Sequence, residues 1–413
     1  MRTQDPGSAV PGARFDDLVA GKALEFDRFD EVLVAERADQ VPSVLHRVQQ
    51  AVDGGRWAAG YVAYEAAPAF DDRLRCRPPR PGHPAAWFGL AASPVQDPGP
   101  LPDSGPVRLD WQAQWDQALH AEKVAAVHAA IARGDTYQCN LTTRLTAETP
   151  AGLVADPAAR RAWYGHLAAR QRGSFHAHLE TGRIAVLSAS PELFLRHADG
   201  QVTVRPMKGT AARRPDPAED VAARRALQES EKDRAENVMI VDLMRNDVAR
   251  ISRTGTVAVT DLLACEAYPT LWQLTSTVTG RTLPGTGLPE LFAALFPCGS
   301  ITGAPKASTM DLIAELEPEP RGVYCGAIGY LAPAGHPQAD GGRSAGPEAV
   351  FSVAIRTVVL DLASGTAEYG VGGGITWSSD PVEEYREIEA KSRILTEPGD
   401  GSVVTAAGGM LEA

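Results

Sequence analysis

Paired strand patterns that alternate with helical periods place the strongest constraint on the fold of this chain. The segment SFHAHLE alternates apolar and polar residues, and RIAVLS follows it after a turn at Thr181-Gly182. A second hairpin is predicted in ELFLRHADGQVTVRP, over the two-residue turn Asp199-Gly200. Helical periods lie at 116–133, 219–250 and 381–396. Hairpins separated by helices indicate antiparallel sheets, so we predict an α+β fold of stacked layers, not a parallel Rossmann sheet.

Changes in composition along the chain divide it into five predicted segments. These are a disordered N-terminus at 1–13, an N-terminal part of the fold at 14–94, a linker or long loop at 95–106, the main domain at 107–397 and a disordered tail at 398–413. The polar stretch from Pro333 to Glu348 is predicted to be an enlarged hairpin loop, remote from the chemistry. The run VGGGI at Val371 to Ile375 lacks GxGxxG spacing, so it does not predict a dinucleotide site.

The charge balance and the cysteine pattern restrict the class of function. The 413 residues carry a formal net charge of -12 and no long basic stripe, which argues against nonspecific binding to nucleic acid. The five cysteines have no CxxC spacing and predict reduced thiols; they are Cys76, Cys139, Cys265, Cys298 and Cys325. No apolar run is long enough to span a bilayer, and the N-terminus lacks the apolar core of a secretory signal. We therefore expect a soluble cytoplasmic protein with no nucleic-acid or membrane partner.

One lysine stands in a turn whose composition permits two roles. The run PMKGT, from Pro206 to Thr210, combines a proline that fixes one torsion, a glycine that frees another and a hydroxyl near the amine of Lys208. In a closed site a lysine can act as a nucleophile, because desolvation favours the neutral amine. On these five residues alone, a surface turn with a solvated lysine is the simpler interpretation.

The helical segment EKDRAENVMIVDLMRNDVAR places a glutamate just before its apolar stripe. Val238, Val241, Met244 and Val248 recur at helical spacing and are predicted to be buried, and Glu236 precedes them. A lone glutamate at this place is usually solvated, or it interacts with the dipole of the first helical turn. The functional alternative is a ligand for a hard cation.

The last helical segment has clear start signals and one polar face. The start signals are Asp380 as N-cap, Pro381 at the first helical position and Glu383 as the third residue of a capping box. Farther along, Glu384, Glu387 and Lys391 fall at i, i+3 and i+7 and share a face. Surface pairing of Glu387 with Lys391, which contributes about 0.3–0.5 kcal/mol, is one interpretation. A magnesium site is the other, because Mg²⁺ needs only one or two protein carboxylates when substrate and water supply the remaining ligands.

Eight motifs in one order resemble those of the chorismate-utilising enzymes. They are IARGDTYQCNLT, SASPELFLR, RPMKGT, KDRAENVMIVDLMRND, FPCGSITGAPK, YCGAIGY, AIRT and GGGITWSSDPVEEYREIEAKSRIL. The resemblance runs from about Trp111 to Leu395, with a weaker echo in GYVAYEAAPAFD at Gly60 to Asp71. It implies an α+β fold, a four-layer sandwich of two large, mostly antiparallel β-sheets faced by helices.

The resemblance also implies roles for individual residues. Glu236 and Glu387 match the positions that hold Mg²⁺ in the family, and Glu384 matches a carboxylate beside them, so these three are the expected metal site. Together with Lys208, Glu236 and Glu387 are the expected catalytic residues. The expected substrate-binding residues are Gln138, Thr210, Ser300, Thr302, Gly303, Tyr324, Arg356, Gly373, Gly374 and Lys391. Cationic side chains and main-chain N–H groups would bind the two carboxylates of chorismate.

Gln138 and Lys208 discriminate between the reactions of the family. Members that add water at ring carbon C2 use a lysine base near the position of Gln138, and an amide cannot take a proton. Members that make anthranilate carry alanine at the position of Lys208, whereas aminodeoxychorismate synthases carry lysine. The resemblance therefore implies component I of an aminodeoxychorismate synthase, which forms a covalent intermediate through Lys208 and serves 4-aminobenzoate and folate synthesis. The alternatives left open are amination at C2, by an anthranilate or aminodeoxyisochorismate synthase, and a noncatalytic chorismate-binding paralogue.

The same resemblance implies partners and exposes one departure. No amidotransferase nucleophile is recognisable, so the ammonia is expected from a glutamine amidotransferase subunit, and a separate aminodeoxychorismate lyase is expected downstream. The family usually has a histidine in the segment that matches YPTLWQLTST, where it is a candidate acid for the leaving hydroxyl. We interpret the residue at that position as Trp272, which cannot donate a proton in this way. The acid for the leaving hydroxyl is therefore unassigned.

Overall fold

The computed structural model describes residues 10–102, 105, 107–268, 271–337 and 342–395, and the backbone of 405–406. The strands, in chain order, are β1 (Gly12–Asp17), β2 (Lys22–Phe26), β3 (Glu31–Ala35), β4 (Trp57–Val62), β5 (Ala86–Ala91), β6 (Val95–Gln96), β7 (Gln112–Ala113), β8 (Gln138–Glu148), β9 (Phe175–Glu180), β10 (Ile184–Ser190), β11 (Leu193–Ala198), β12 (Gln201–Arg205), β13 (Met207–Ala212), β14 (Ala258–Ala267), β15 (Leu271–Arg281), β16 (Gly303–Ala304), β17 (Ala327–Ala332), β18 (Glu348–Val353), β19 (Thr357–Asp361), β20 (Thr366–Ile375) and β21 (Thr405–Ala406). The α-helices are α1 (Val41–Asp53), α2 (Gln117–Arg133), α3 (Ala151–Ala155), α4 (Pro157–Gln171), α5 (Pro217–Glu229), α6 (Glu231–Ala249), α7 (Leu288–Leu295), α8 (Lys306–Leu316) and α9 (Pro381–Ser392).

The strands form two large sheets. The first has the order β21-β7-β8-β20-β19-β10-β9-β1-β2-β6, with β16 on β8, and the second has the order β13-β15-β12-β11-β18-β17-β4-β5-β3, with β14 on β15. Within the described part of the chain, strand neighbours are antiparallel except for β7 and β21. The predicted N-terminal part supplies β1 and β2 to the first sheet and β3 to β5 to the second. Both sheets are therefore built from distant parts of the chain.

The predicted hairpins are confirmed. Strand β9 pairs with β10, and β11 pairs with β12. Asp199 has φ 51° and Gly200 has φ 68°, the left-handed backbone that a two-residue hairpin turn needs after a right-twisted strand. The polar stretch after Pro333 connects β17 to β18, which pair antiparallel, although its residues 338–341 lie outside the described part of the chain.

The predicted helices form, with two corrections. Helix α2 ends where Gly134 adopts φ 83°, as the glycine stop signal predicts. The helical pattern at 219–250 is two helices, α5 and α6, because Ser230 leaves the helical conformation and its hydroxyl caps α6. On α6 the predicted buried position Val238 is 44% exposed, whereas Ile240 is fully buried. Val241, Met244 and Val248 are buried as predicted, so only the first residue of the predicted stripe is wrong.

The start of α9 follows its sequence signals in part. The side chain of Asp380 accepts hydrogen bonds from the N–H groups of Val382 and Glu383, both at 3.0 Å, and Pro381 begins the helix. The predicted capping box is not seen in this described helix, because the carboxylate of Glu383 accepts from Arg386 instead. The N-cap alone fixes where α9 begins, and with it the position of the acidic face.

Apolar clusters show how the layers stack. Phe15, Phe26 and Leu179 of the first sheet pack with Trp57 and Tyr61 of the second, so the two sheets lie face to face. On the outer faces, α4 and α9 cover the first sheet, and α1, α6 and α7 cover the second. The order helix, sheet, sheet, helix confirms the predicted four-layer α+β sandwich.

The predicted terminal and linker segments fall partly outside the described residues. Strand β1 begins at Gly12, so the end of the segment predicted as disordered at 1–13 belongs to the first sheet, and residues 1–9 lie outside the description. The stretch 95–106 begins with β6, and its residues 103, 104 and 106 lie outside as well. Of the tail at 398–413, only the backbone of β21 is described. Among the described helices, none combines the length and apolar character needed to cross a bilayer.

Candidate active site

One end of β8 brings several predicted residues together. Gly374 of β20 and Gly303 of β16 both lie in strands that pair with β8. The side chain of Gln138, at the start of β8, is fully buried, and neither its amide nitrogen nor its oxygen has a described hydrogen-bond partner. A Cβ at Gly374 would lie 2.5 Å from Nε2 of Gln138 and 3.3 Å from Nζ of Lys208. Glycine at position 374 therefore leaves the space in which the amide and the amine approach each other.

Lys208 reaches this point from the second sheet. It lies on β13 and is half-buried, and its Nζ donates to the main-chain carbonyl of Ser300 at 3.2 Å. The hydroxyl of Ser300 in turn donates to Oε1 of Glu192 at 2.6 Å. Lys208 therefore lies in a pocket where the two sheets meet, not on a solvated surface turn.

A buried carboxyl beside this contact was missed at the level of sequence. Glu192 lies between β10 and β11 and is 3% exposed. Burial raises the pKa of Glu192 to about 7, although the Ser300 hydrogen bond and the charge of Lys208 oppose the increase. The sequence feature that could have revealed Glu192 is a charged residue inside SASPELFL, whose other residues are uncharged. Glu192 can therefore hold a proton near neutral pH within reach of the Lys208 pocket.

Helices α6 and α9 bring the three predicted glutamates to the same pocket. Burial raises the pKa of Glu236, and Glu384 adds to the increase, while two lysines oppose it. Oε1 of Glu236 is buried and has no described hydrogen-bond donor. A Cβ at Gly373 would lie 3.1 Å from Oε2 of Glu384, so this glycine keeps the space beside that carboxylate open. A buried carboxyl oxygen without a donor in the protein is available to a cation, a ligand N–H group or a water molecule.

Two lysines balance the negative charge of these glutamates. Nζ of Lys391 lies 2.6 Å from Glu387, as the helical spacing predicts. Desolvation disfavours the charged form of Glu387, but Lys391, Lys208 and Lys232 together outweigh it and lower the pKa of Glu387. Lys232, which was not predicted, lies four residues before Glu236 and 3.4 Å from Glu384. Desolvation disfavours its ammonium too, but the three carboxylates outweigh that cost and raise the pKa of Lys232.

The other predicted binding residues occupy different positions around the pocket. The guanidinium of Arg356 donates to the carbonyl of Lys391 at 3.0 Å, which joins Arg356 to the acidic helix. The hydroxyl of Thr302 donates within its own loop, to the carbonyl of Cys298 at 3.2 Å, so it braces that loop. The ring of Tyr324 packs against Gly370 of β20, and no described hydrogen bond joins it to Lys208 or to the glutamates.

The side chain of Trp272, which we interpreted as standing at the position of the family's acid, lies outside the Lys208 pocket. Its indole Nε1 donates to Asp220 at 3.0 Å, and the guanidinium of Arg213 lies 4.4 Å from its ring. Trp272 therefore faces away from the turn that carries Lys208. The next residue on β15, Gln273, faces that turn, because successive side chains of a strand point to opposite faces.

An amine and several carboxylates therefore converge where two antiparallel sheets meet, as side chains do in the active site of an enzyme. The model of the chorismate binding enzyme family matches residues 10–397. The chain belongs to this family, as the eight motifs predicted.

Characterised relatives carry two different names. Anthranilate synthase component 1 of Streptomyces coelicolor is 39% identical over 336 residues, which cover 81% of this chain and 60% of that protein. Aminodeoxychorismate synthase component 1 of Klebsiella aerogenes is 38% identical over 311 residues, which cover 75% of this chain and 63% of that protein. The matches therefore span about 60% of these relatives' length, and overall identity does not separate the two activities.

Solved structures agree with the fold. Anthranilate synthase component I from Streptococcus pneumoniae superimposes with a TM-score of 0.72 at 25% identity, over 96% of this chain and 94% of that one. The menaquinone-specific isochorismate synthase from Escherichia coli gives a TM-score of 0.67 at 19% identity, over 95% of this chain and 90% of that one. The second likeness concerns the fold alone.

Proposed function

We propose that this chain is component I of an aminodeoxychorismate synthase, which replaces the C4 hydroxyl of chorismate with an amino group. The observation that carries the proposal is the amine of Lys208, which lies beside Gln138 and Gly374 in a pocket lined by glutamates. Relatives with this name, from Klebsiella aerogenes and Escherichia coli, are 38% and 39% identical. Because the anthranilate synthase relative is equally similar, the proposal depends on the lysine and not on identity.

The residues of the pocket fit a magnesium ion. Glu236 offers a buried carboxylate oxygen without a donor, and Glu384 and Glu387 add the hard oxygen ligands that Mg²⁺ prefers. No three His, Cys, Asp or Glu side chains of the described chain converge into a complete site, so substrate and water would supply the remaining ligands. When bound, magnesium would neutralise a carboxylate of chorismate and assist loss of the hydroxyl.

The chain's own residues account for the first step. Neutral Lys208 attacks C2 of chorismate, the two conjugated double bonds of the ring shift, and the bond between C4 and its hydroxyl breaks. Glu192, whose pKa is raised to about 7 by burial, supplies the proton that converts the departing hydroxide to water. This assignment fills the role for which Trp272 is unsuited. The attacking nitrogen then loses a proton, which restores the acid form of Glu192, and the step yields a C2 adduct on Lys208 and one water molecule.

The second step reverses the direction of the electron shift. Ammonia attacks C4, the double bonds return to their original places, and the bond between C2 and Lys208 breaks. The proton lost by the nitrogen at C4 passes to the departing amine. Gln138 cannot act as a base, which disfavours water as the C2 nucleophile, and its unpartnered amide can instead bind a polar group of the substrate. Nitrogen therefore ends on C4, where the hydroxyl stood.

Binding of the substrate is proposed to use the cationic and main-chain groups around the pocket. Arg356, held at the carbonyl of Lys391, is placed to meet a carboxylate, and Gly373 and Gly374 let main-chain N–H groups approach an anion. Tyr324 packs farther along β20 and would have to reach the substrate through its hydroxyl. Ammonia would come from a glutamine amidotransferase subunit, and a separate lyase would release 4-aminobenzoate for folate synthesis.

Anthranilate synthesis is the second candidate, because the Streptomyces coelicolor relative of that name is 39% identical. One experiment separates the candidates. The purified chain is incubated with chorismate, MgCl₂ and ammonium chloride, with and without an aminodeoxychorismate lyase, and products are identified by liquid chromatography and mass spectrometry. Formation of 4-aminobenzoate supports the proposal, anthranilate supports the second candidate, and unchanged chorismate supports a noncatalytic protein.

The covalent role has its own test. Lys208→Ala is expected to lose the 4-amino product even with free ammonia, whereas Lys22→Ala, on the exposed end of β2, controls for loss of a lysine and should keep it. A Lys208→Ala variant that makes the 4-amino product at the parental rate would exclude a covalent intermediate.

A further inference from the structure

The strand that carries Lys208 contains a β-bulge. Met207 pairs with Thr275 and Thr210 pairs with Gln273, so three steps along β13 match two steps along β15. The extra residue interrupts the ladder of main-chain hydrogen bonds at Lys208 and Gly209. Bulges of this kind bend a strand and redirect a side chain, and the groups they leave unpaired need other partners.

One side chain supplies such a partner to the carbonyl of Gly209. Nε2 of Gln273 donates to the carbonyl of Gly209 at 2.7 Å, and Oε1 of Gln273 accepts from the hydroxyl of Thr210 at 3.0 Å. Gln273 is 8% exposed, so water competes little for these contacts. The single amide therefore bonds both residues that directly follow Lys208.

The bulge packs closely against α6 on its other side. Gly209 has φ 86°, which residues with a Cβ rarely adopt, and a Cβ there would lie 2.9 Å from Cβ of Asp233 on α6. The turn is thus held between α6, which carries Glu236, and the amide of Gln273. Loss of the amide would free the side of the bulge that faces β15.

We propose that Gln273 is a positioning residue for Lys208: by closing the β-bulge it holds the amine at the point where it meets Gln138 and Gly374. The inference deepens the proposed function, since a lysine that attacks one ring carbon must be held to within about 0.5 Å of the productive geometry. Gln273 suits this task because the carbonyl of Gly209 needs a donor, and the side-chain amide offers a donor and an acceptor in one plane.

Two substitutions separate the contacts. Gln273→Leu removes both and keeps the size of the side chain, and Thr210→Val removes the hydroxyl contact alone. The matched control is Gln49→Leu, on α1, a helix that carries none of the pocket residues. The amide of Gln49 also makes two hydrogen bonds: it donates to Asp53 at 2.8 Å and accepts from the N–H of Leu288 at 2.8 Å. Thermal unfolding of each variant establishes the folded fraction.

The readouts report on position and not only on stability. For Gln273→Leu we expect kcat to fall about 10- to 100-fold with little change in KM for chorismate, as for a nucleophile displaced by a fraction of an ångström. In the absence of substrate, the rate of acylation of Lys208 relative to Lys391, measured by peptide mass spectrometry, should change several-fold. Thr210→Val should move both quantities in the same direction by less, and Gln49→Leu should move neither.

The outcomes distinguish this inference from the proposed function. An unchanged relative acylation rate in both Gln273→Leu and Thr210→Val, or a loss of kcat no greater than the loss of folded protein, overturns the positioning role. If Gln273→Leu does not fold, Thr210→Val decides, because it removes one contact at an exposed residue. Failure of the covalent mechanism appears elsewhere, in a Lys208→Ala variant that stays active, and leaves the acylation readout intact.

Discussion

Lys232 is expected to weaken the affinity of the pocket for a divalent cation before substrate binds. Its Nζ lies 3.4 Å from Oε1 of Glu384, and Glu236 and Glu387 attract it as well. A cation that binds these carboxylates must displace the ammonium or act against its charge. Lys232→Met removes the charge and keeps most of the side-chain stem, so we expect tighter binding of Mg²⁺.

The structure gives the size of this effect. Two unit charges at the 3.4 Å separation of Lys232 and Glu384 interact by about 1.2 kcal/mol in water and by about 5 kcal/mol at an effective dielectric constant of about 20. The Lys232 side chain is 47% exposed, so solvent screening favours the lower value. About 1 kcal/mol corresponds to a roughly 5-fold decrease in Kd for Mg²⁺.

Isothermal titration calorimetry with MgCl₂, in the absence of chorismate, measures this Kd. The control is Arg234→Gln, which removes a positive charge from the exposed side of the same helix, where Arg234 donates to the carbonyl of Gln228 at 3.2 Å. We expect the control to bind Mg²⁺ as the parent does. An unchanged or weaker affinity in Lys232→Met, at the same folded fraction, would refute competition between the lysine and the metal.

Three further predictions concern the pocket and its support. Glu192→Gln should lower kcat about 100-fold or more, as expected when a general acid is lost. In urea denaturation at pH 8 the variant should also be more stable than the parent by about 2–3 kcal/mol. The reason is that the pKa of the Glu192 carboxyl rises on folding from 4.5 to about 7, so its contribution to stability is complete below pH 4.5 and is lost as the pH rises through 7. Gly374→Ala should lower kcat/KM for chorismate about 10-fold or more in steady-state assays, because its Cβ would lie 2.5 Å from Nε2 of Gln138. Arg321→Met should cost about 3–5 kcal/mol in the free energy of unfolding, because it leaves the buried Glu317 carboxylate without the bonds it accepts at 2.7 and 2.8 Å.

Each of these predictions has a result that contradicts it. Equal stability of Glu192→Gln and the parent at pH 8 would mean that burial does not raise the pKa of Glu192. Gly346→Ala, where a Cβ meets nothing within 4 Å, is the control for Gly374→Ala, and equal losses in the two would remove the steric explanation. A cost below about 1 kcal/mol for Arg321→Met, the range of an exposed pair, would show that water reaches Glu317.

Features that depend on neighbours in sequence are predictable from it. The turn Asp199-Gly200 needs two residues that tolerate positive φ, and the start of α9 needs a side-chain acceptor followed by a proline, so both are visible as short patterns. The same holds for the pair Glu387 and Lys391, which one helical turn places together. The order of the motifs then identified the family, because it combines many short patterns.

Features that depend on contacts across the fold are not predictable in this way. Lys208 meets Ser300, 92 residues away, and Ser300 meets Glu192 across a further 108, so no local pattern marks Glu192 as part of the pocket. Trp272 and Gln273 are neighbours on one strand, and the choice of which faces the pocket depends on a bulge in the opposite strand. Sequence patterns leave the pairing register open, and it is this register that decides which of the two residues faces the pocket.

Lys208 is proposed to direct nitrogen to C4 of the chorismate ring. Incubation of the parent chain with chorismate, MgCl₂ and ¹⁵N-labelled ammonium, followed by NMR of the product, locates the label directly. We expect ¹⁵N on C4 for the parent and loss of that product in Lys208→Ala. Label on C2 in the product of the parent chain, or label on C4 at the parental rate in Lys208→Ala, would contradict it.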